Sequence, residues 1–287
     1  MLGGMNMTIK ELLNQGIMML KNEGVEYPKN KARLILEHTL KKTRAYLIIY
    51  DKETITPKQR DEYIANIKRL IQGEPLQYIT GMQEFMKLKF LVTKDVLIPQ
   101  PDTEIVTEEV ISISKKIENP VILDLCTGSG AIAISIAKNV PNVRIVATDI
   151  SKKALEVARQ NAKLNGVINT IDFIESDLFD KLKDQRFDII VSNPPYICTD
   201  EIKTLPKDVK QEPIIALDGG KDGLDFYRRI LKDGYKFLER QGYLCLEIGY
   251  NQKEKVRKIV DEQKRYVETY FKKDLCQNDR VVVTRIG

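Results

Sequence analysis

The sequence holds one histidine and four cysteines in 287 residues. The cysteines (Cys126, Cys198, Cys245 and Cys276) are scattered, with no CxxC pair and only His38 to join them. That spacing excludes a zinc site, and no metal is expected. It also argues against a disulfide framework, which predicts a reducing compartment. No apolar run approaches the ~18 residues of a membrane span, so no membrane association is expected. Met1 to Lys10 lacks the basic start and sustained apolar core of a signal peptide. Together these absences predict a cytoplasmic protein. Internal repeats and low-complexity tracts are missing as well.

What is present fits a soluble globular chain, 43% hydrophobic and 30% charged, with room for one large or two modest domains. The net charge is +5, and residues 1–75 carry 13 Lys and Arg against 9 Asp and Glu. A basic N-terminal part can meet RNA or an acidic protein. No dense Lys/Arg cluster appears, however, so a solvated helical surface is the simpler reading.

Residues 1–74 show helical apolar spacing. Ile9, Leu12, Leu13, Ile17 and Leu20 form one stripe, with Thr8 and Glu11 spaced as a capping box. Pro28 opens a second helix through Ala32, Leu34, Ile35, Leu36 and Leu40. Thr56-Pro57 opens a third through Tyr63, Ile64, Ile67 and Leu70. A small bundle is expected, with His38 as a packing residue within it. Residues 75–100 alternate and are aromatic, which predicts a β-hairpin linker ending at Ile98-Pro99-Gln100-Pro101-Asp102. Residues 101–287 begin with a helix over Thr103–Lys116 and then alternate strand and helix, the pattern of a parallel sheet covered on both faces. Strands are predicted at 121–125, 144–150, 171–175, 187–192 and 243–248. Intervening helices are predicted at 131–138, 152–165 and 224–240. After a helix at 252–264, strands at 267–271 and 280–286 follow without a crossover and so pair antiparallel.

The strand Phe187–Val191 runs into Ser192-Asn193-Pro194-Pro195-Tyr196. Two prolines fix their own φ angles and press Asn193 towards an extended conformation. The corner offers acceptors, the Asn193 side-chain oxygen and the Pro194 carbonyl, with Tyr196 as a wall alongside. Two acceptors suit a planar NH2, whose nitrogen is a poor nucleophile until it is held and aimed. By itself Asn-Pro-Pro is also a common turn after a strand.

Asp124-Leu125-Cys126-Thr127-Gly128-Ser129-Gly130 ends one strand and opens a helix, where backbone and free N–H groups can approach a ligand. It is neither G-x-G-x-x-G, since Cys126 holds the first glycine position, nor a P-loop, since no Gly-Lys-Ser/Thr follows. Asp149 ends the next strand, placed like an acid that takes ribose hydroxyls. Asp177 follows the third. Singly these acids read as helix caps. In this order, without a basic residue in the turn, they suit a small cationic adenosine compound, S-adenosylmethionine, rather than a pyrophosphate.

These residues together resemble a class I methyltransferase acting on a planar nitrogen. Pro75-Leu76-Gln77-Tyr78-Ile79-Thr80-Gly81, Leu97-Ile98-Pro99-Gln100-Pro101-Asp102-Thr103-Glu104, Asp222-Gly223-Leu224-Asp225, Glu247-Ile248-Gly249 and Asp279-Arg280-Val281-Val282 narrow the likeness. They are similar to the release factor glutamine methyltransferases, the PrmC/HemK group, over nearly the whole chain. The resemblance implies an α/β fold, a seven-stranded Rossmann-like methyltransferase sheet preceded by the helical bundle and hairpin. It implies methyl transfer from S-adenosylmethionine, leaving S-adenosylhomocysteine, to N5 of the glutamine in the Gly-Gly-Gln motif of class 1 peptide chain release factors. The enzyme is expected to be a monomer whose helical part helps to hold its protein substrate. By position, Asp124 and Cys126 to Gly130 (Cys126, Thr127, Gly128, Ser129, Gly130) belong to the cofactor site, and Asp149 takes the ribose. Asp177 and Leu178 flank the adenine, while Asn193, Pro194, Pro195 and Tyr196 hold the glutamine amide. The chain departs from the family at Cys126 (usually glycine), Gln100 (usually arginine), Leu178 (tryptophan in some members) and Gln277-Asn278 (often containing glycine).

Rival readings are an adenine-N6 DNA methyltransferase, an rRNA guanine-N2 methyltransferase, and a non-catalytic adaptor that senses the cofactor. The missing target-recognition domain and basic stripe argue against the DNA enzyme, the slightly basic N-terminal part leaves the rRNA enzyme open, and the intact Asn-Pro-Pro-Tyr argues against an adaptor.

Overall fold

The computed structural model describes residues 7–287, so most of the Met1–Lys10 stretch read for a signal pattern lies outside it. Contacts divide the chain into two compact units, Met1–Gly81 with Lys207–Gln211, and Met82–Pro206 with Glu212–Gly287. No helix among the described residues is long and apolar enough to cross a membrane.

The first unit is helical: α1 (Ile9–Asn22), α2 (Pro28–Leu40), α3 (Arg44–Ile49), α4 (Pro57–Ile71) and α5 (Leu76–Thr80). Thr8 and Glu11 form the expected capping box, and Thr56 with Gln59 forms a second. The core takes Ile9, Leu12 and Leu20 from α1, while Leu13 and Ile17 pack at its margin. Gly16 completes the buried face, because a Cβ there would stand 2.0 Å from the Tyr63 hydroxyl. Two expectations need correction. His38 is exposed on the last turn of α2 and is not a buried packing residue. The short helix α3 is an addition, started by Thr43, whose hydroxyl accepts from the Tyr46 N–H.

In the second unit a hairpin, β1 (Met82–Phe85) and β2 (Leu88–Leu91), precedes α6 (Asp102–Ser114). The hairpin is shorter than expected, since Pro75–Gly81 forms α5 and its glycine stop, Gly81 at φ 71°. Met86 and Lys87 turn it with φ 49° and 61°, left-handed values that two-residue hairpins need and usually fill with Asn-Gly. The Glu104 carboxylate steadies the turn by accepting from the Met86 N–H at 2.6 Å.

Then follow β3 (Val121–Leu125), α7 (Ala131–Asn139), β4 (Arg144–Asp149), α8 (Lys152–Leu164), β5 (Ile171–Glu175) and β6 (Phe187–Ser192). Two single-turn helices, α9 (Thr199–Ile202) and α10 (Ile214–Leu217), lead to α11 (Asp225–Gly234) and β7 (Leu238–Glu247). α12 (Lys253–Gln263), β8 (Tyr266–Lys273) and β9 (Asp279–Ile286) close the chain. The expected helix over 224–240 stops at Gly234, because Leu238 already belongs to the sheet opposite Phe187.

The seven strands run in the order β5-β4-β3-β6-β7-β9-β8, with β9 antiparallel to both its neighbours. From β3 the chain winds outward through β4 and β5, and from β6 it winds the other way. Between β3 and β6 lies the switch point where open α/β sheets bind ligands, beyond the strands' C-terminal ends. Two apolar layers cover the sheet, one built around α6 and α7 and the other around α11 and α12.

Asn161, fully buried on α8, ties the hairpin to this switch point. Its Oδ1 accepts from the Leu91 N–H at 2.6 Å, and its Nδ2 donates to Leu91 O at 3.0 Å and Ser129 O at 2.9 Å. Asn161→Ala should destabilise the second unit by about 2–3 kcal/mol, since it strands buried backbone groups. Urea unfolding checks this, and a loss under about 0.5 kcal/mol would contradict it.

Candidate active site

After β3 the backbone turns through left-handed φ at Cys126 (58°), Gly128 (55°) and Gly130 (81°). Gly130 has no room for a side chain: a Cβ would lie 2.9 Å from Ile134 Cδ1 and 3.2 Å from Ala158 Cβ. At Gly128 a Cβ would meet nothing within 4 Å, so that stretch of backbone is open to the space above it. The turn is pinned from below. Thr127 donates its N–H to Thr148 O at 2.9 Å and its hydroxyl to Asp124 Oδ2 at 2.6 Å.

Asp124 itself is wholly buried and also accepts from the Ala133 N–H at 3.2 Å. Its Oδ1 has no partner among the described residues. Burial pushes its pKa up to about 7, against the opposing hydrogen bonds from Thr127 and Ala133. Asp149 holds the turn from β4, with Oδ2 accepting from the Gly128 N–H at 2.9 Å and Oδ1 from the Ser151 N–H at 2.8 Å. Its pKa is also raised by burial, with those same N–H groups opposing.

Above the turn is a cavity of about 150 Å³. Of the residues singled out in the sequence, Cys126, Gly128, Asp149, Asp177, Leu178, Asn193 and Pro195 line it. A smaller pocket of about 50 Å³ takes in Thr127 and Ser129, sharing Cys126, Gly128 and Asn193 with the first. Asp124, Gly130, Pro194 and Tyr196 line neither. Asp124 and Gly130 shape the turn from beneath. Walls that the sequence did not reveal come from Asp95–Leu97, Ile215, Phe226 and Arg229. Arg229 binds Asp177 Oδ2 at 2.8 Å, which neutralises the carboxylate expected at the adenine. Nothing in the spacing of α11 marks Arg229 out from Arg228, the other arginine of that helix.

At the end of β6, Ser192 donates its hydroxyl to Leu125 O at 2.7 Å, locking the corner to β3. Asn193 Nδ2 donates to Thr103 Oγ1 at 3.1 Å, and its Oδ1 accepts from no protein group among the described residues. The Tyr196 hydroxyl donates to Glu247 Oε1 at 3.3 Å, so the ring is anchored behind the corner and not in the cavity wall expected of it. Gln252 Nε2 donates to Tyr196 O at 2.9 Å and to Gly223 O at 3.2 Å. Gly219 and Gly223 press on the same segment: a Cβ would stand 2.7 Å from Tyr196 Cα at the first and 2.4 Å from Tyr196 O at the second. The Asp222–Asp225 and Glu247–Gly249 stretches thus form the frame of the corner.

The departures from the family also find places. Cys126 and Gln277 (φ 67°) occupy left-handed backbone, where glycine is the easy residue. Gln100 folds back to donate to Ile98 O at 3.1 Å and lines the smaller pocket. Leu178 is buried at φ 46°. The four cysteines are free. No group of three or more His, Cys, Asp and Glu among the described residues is placed to hold a metal ion.

An L-residue in this backbone region costs about 1–2 kcal/mol, and a β-branched one more. Cys126→Gly should therefore change stability by less than about 1 kcal/mol, while Cys126→Val costs about 2 kcal/mol or more. Urea midpoints check this, and equal effects of the two substitutions would contradict it.

Two family matches cover much of the chain: the PrmC N-terminal domain over residues 11–81 and the methyltransferase small domain over residues 104–211. A release factor glutamine methyltransferase of Moorella thermoacetica is 40% identical over 96% of this chain and 97% of its own length. One from Clostridium acetobutylicum is 41% identical over 98% and 99%. Among solved structures, a methyltransferase from Pyrococcus furiosus shares the fold at 16% identity, with a TM-score of 0.51 over 81% of this chain and 100% of its own. With identity of this order along nearly its whole length, the chain belongs to the release factor glutamine methyltransferase family.

Proposed function

We propose that this protein transfers the methyl group of S-adenosylmethionine to N5 of the glutamine in the Gly-Gly-Gln motif of class 1 peptide chain release factors. The observation that carries this is the Asn193 amide. Its donor end is taken by Thr103, so its acceptor oxygen remains for a ligand at the sheet's switch point. An acceptor there selects an NH2 group that has hydrogens to give.

The cavity beside Asn193 fits the cofactor by its chemistry. The turn 124–130 contains no lysine or arginine to favour a pyrophosphate. Asp149 keeps lone pairs beyond its two backbone bonds, able to accept from ribose hydroxyls. Leu178, Ile150 and Phe226 give apolar walls suited to a purine. When bound, S-adenosylmethionine supplies a methyl group on a sulfonium, which needs no further activation.

The chain's own residues supply position. Asn193 Oδ1 and the Pro194 carbonyl accept the two amide hydrogens, hold the nitrogen at the methyl, and draw electron density towards it. The N–C bond forms as the S–C bond breaks, leaving S-adenosylhomocysteine. The amide nitrogen then loses its extra proton to water, so no general base is needed before transfer. The helical residues 1–74 help to hold the release factor, 75–100 link, and 101–287 catalyse. The enzyme works in the cytoplasm as a monomer.

Labelled S-adenosylmethionine, offered with a release factor, its Gly-Gly-Ala variant, duplex DNA and rRNA, tests this. Label is expected on the wild-type factor alone, and label on nucleic acid would overturn the substrate. Asn193→Ala should lower turnover about a hundredfold or more, the scale of a lost transition-state contact, and leave cofactor affinity within about threefold. Affinity falling in step with turnover would contradict Asn193's role.

A further inference from the structure

Among the described residues, Arg229 is the one lysine or arginine that lines the larger cavity. Two elements put it beside Asp177. β5 ends at Glu175, and Ser176 then donates its N–H to Asp149 O at 3.0 Å and its hydroxyl to Leu178 O at 3.0 Å. With Leu178 at φ 46°, the chain bends so that Asp177 joins Asp149 in the cavity lining. From α11, Phe226 and Arg229 reach the same cavity because residues three apart share a helix face.

The Arg229 guanidinium pairs with Asp177 Oδ2 at 2.8 Å and lies 5.8 Å from the Phe226 ring centroid, within reach of a cation–π attraction. The two paired side chains are 47% and 38% exposed, and an ion pair this open to water adds little to folding. Under a ligand that excludes water the same charges act far more strongly. Both partners have capacity left. Asp177 Oδ1 accepts from no protein group among the described residues. A guanidinium carries five N–H groups, and Arg229 forms its ion pair with Asp177 alone among the described residues. An acceptor and a donor thus stand side by side on the cavity wall. Adenine carries the complement along one edge, where the N6 amino group donates and a neighbouring ring nitrogen accepts.

We propose that Asp177 and Arg229 act as one unit that selects the adenine of the cofactor, Asp177 accepting from N6 and Arg229 donating to the adjacent ring nitrogen. This rests on the reading that the cavity holds S-adenosylmethionine. Arg229 supplies what Asp177 lacks alone. A bare carboxylate accepts from any amine, and beside Asp149 it would draw cations of any shape to this end of the cavity. The guanidinium offsets that charge and adds a planar donor whose geometry is fixed. Selection then follows the pattern of donors and acceptors. A 6-oxo purine fails it, because its oxygen meets the carboxylate, acceptor against acceptor.

Titration calorimetry of the full chain with S-adenosylhomocysteine, and with its 6-oxo counterpart S-inosylhomocysteine, tests this without turnover. Wild type should bind the adenine ligand about tenfold or more tighter, the scale of a charge-assisted hydrogen bond. Arg229→Ala and Asp177→Ala should each weaken S-adenosylhomocysteine about tenfold and bring the two ligands within about threefold of each other, and the double variant should lose no more than either single one. The ratio between ligands is the decisive readout, since a merely loosened cavity weakens both alike. R229A with the wild-type ratio, additive losses in the double variant, or a wild type that binds both ligands equally would overturn the unit and leave the cofactor site standing. A wild type that binds no S-adenosylhomocysteine would overturn the cofactor reading and the unit together.

Discussion

The Asn193 amide is held by one hydrogen bond, from Nδ2 to Thr103 Oγ1 at 3.1 Å, which leaves its oxygen free of protein partners. An asparagine amide is nearly symmetrical in shape and opposite in polarity at its two ends, so packing alone would leave it undecided. Much of the surrounding structure serves to keep that end in place. Ser192 ties the corner to β3, Gln252 holds the Tyr196 carbonyl, and two glycines let loop backbone press against it. Prolines then deprive the corner of N–H groups that would compete for its acceptors.

The cofactor side is built on a different constraint, a backbone forced into left-handed φ three times within five residues. Such a turn brings main chain against a ligand, and here it is held by carboxylates bound to backbone N–H groups. Asp124 and Asp149 thus act first as scaffolding. Asp149 also reaches the cavity, whereas Asp124 stays beneath it. The two halves meet because β3 and β6 are neighbours with their C-terminal ends in register, Leu125 opposite Ser192.

Most of the sheet was legible because buried parallel strands are short apolar runs separated by helical periods, while β8 and β9 were read from their close succession without a crossover. Boundaries slipped where one residue type serves two elements. Phe237 and Leu238 continue the helical spacing of α11 yet belong to the sheet side of Gly234. The Pro75–Gly81 helix was missed because five residues are too few for periodicity to show. In the site, Asn193, Asp149 and the glycine turn announced themselves through prolines, strand ends and glycines. Thr103, Glu247 and Gln252 lie about 90, 54 and 59 positions from Asn193 and carry no local pattern. Their place could be learned only from the fold. Cys126 stands where the family usually has glycine, and its φ of 58° shows it to be a side chain in a glycine's conformation.

On the proposed function, the site holds a side-chain amide by its NH2. Fragmentation mass spectrometry of a release factor incubated with the enzyme and S-adenosylmethionine tests this most directly. A single methyl group on the side-chain nitrogen of the Gly-Gly-Gln glutamine is expected. A methyl group on another residue, or on a carboxylate or backbone atom, would contradict it.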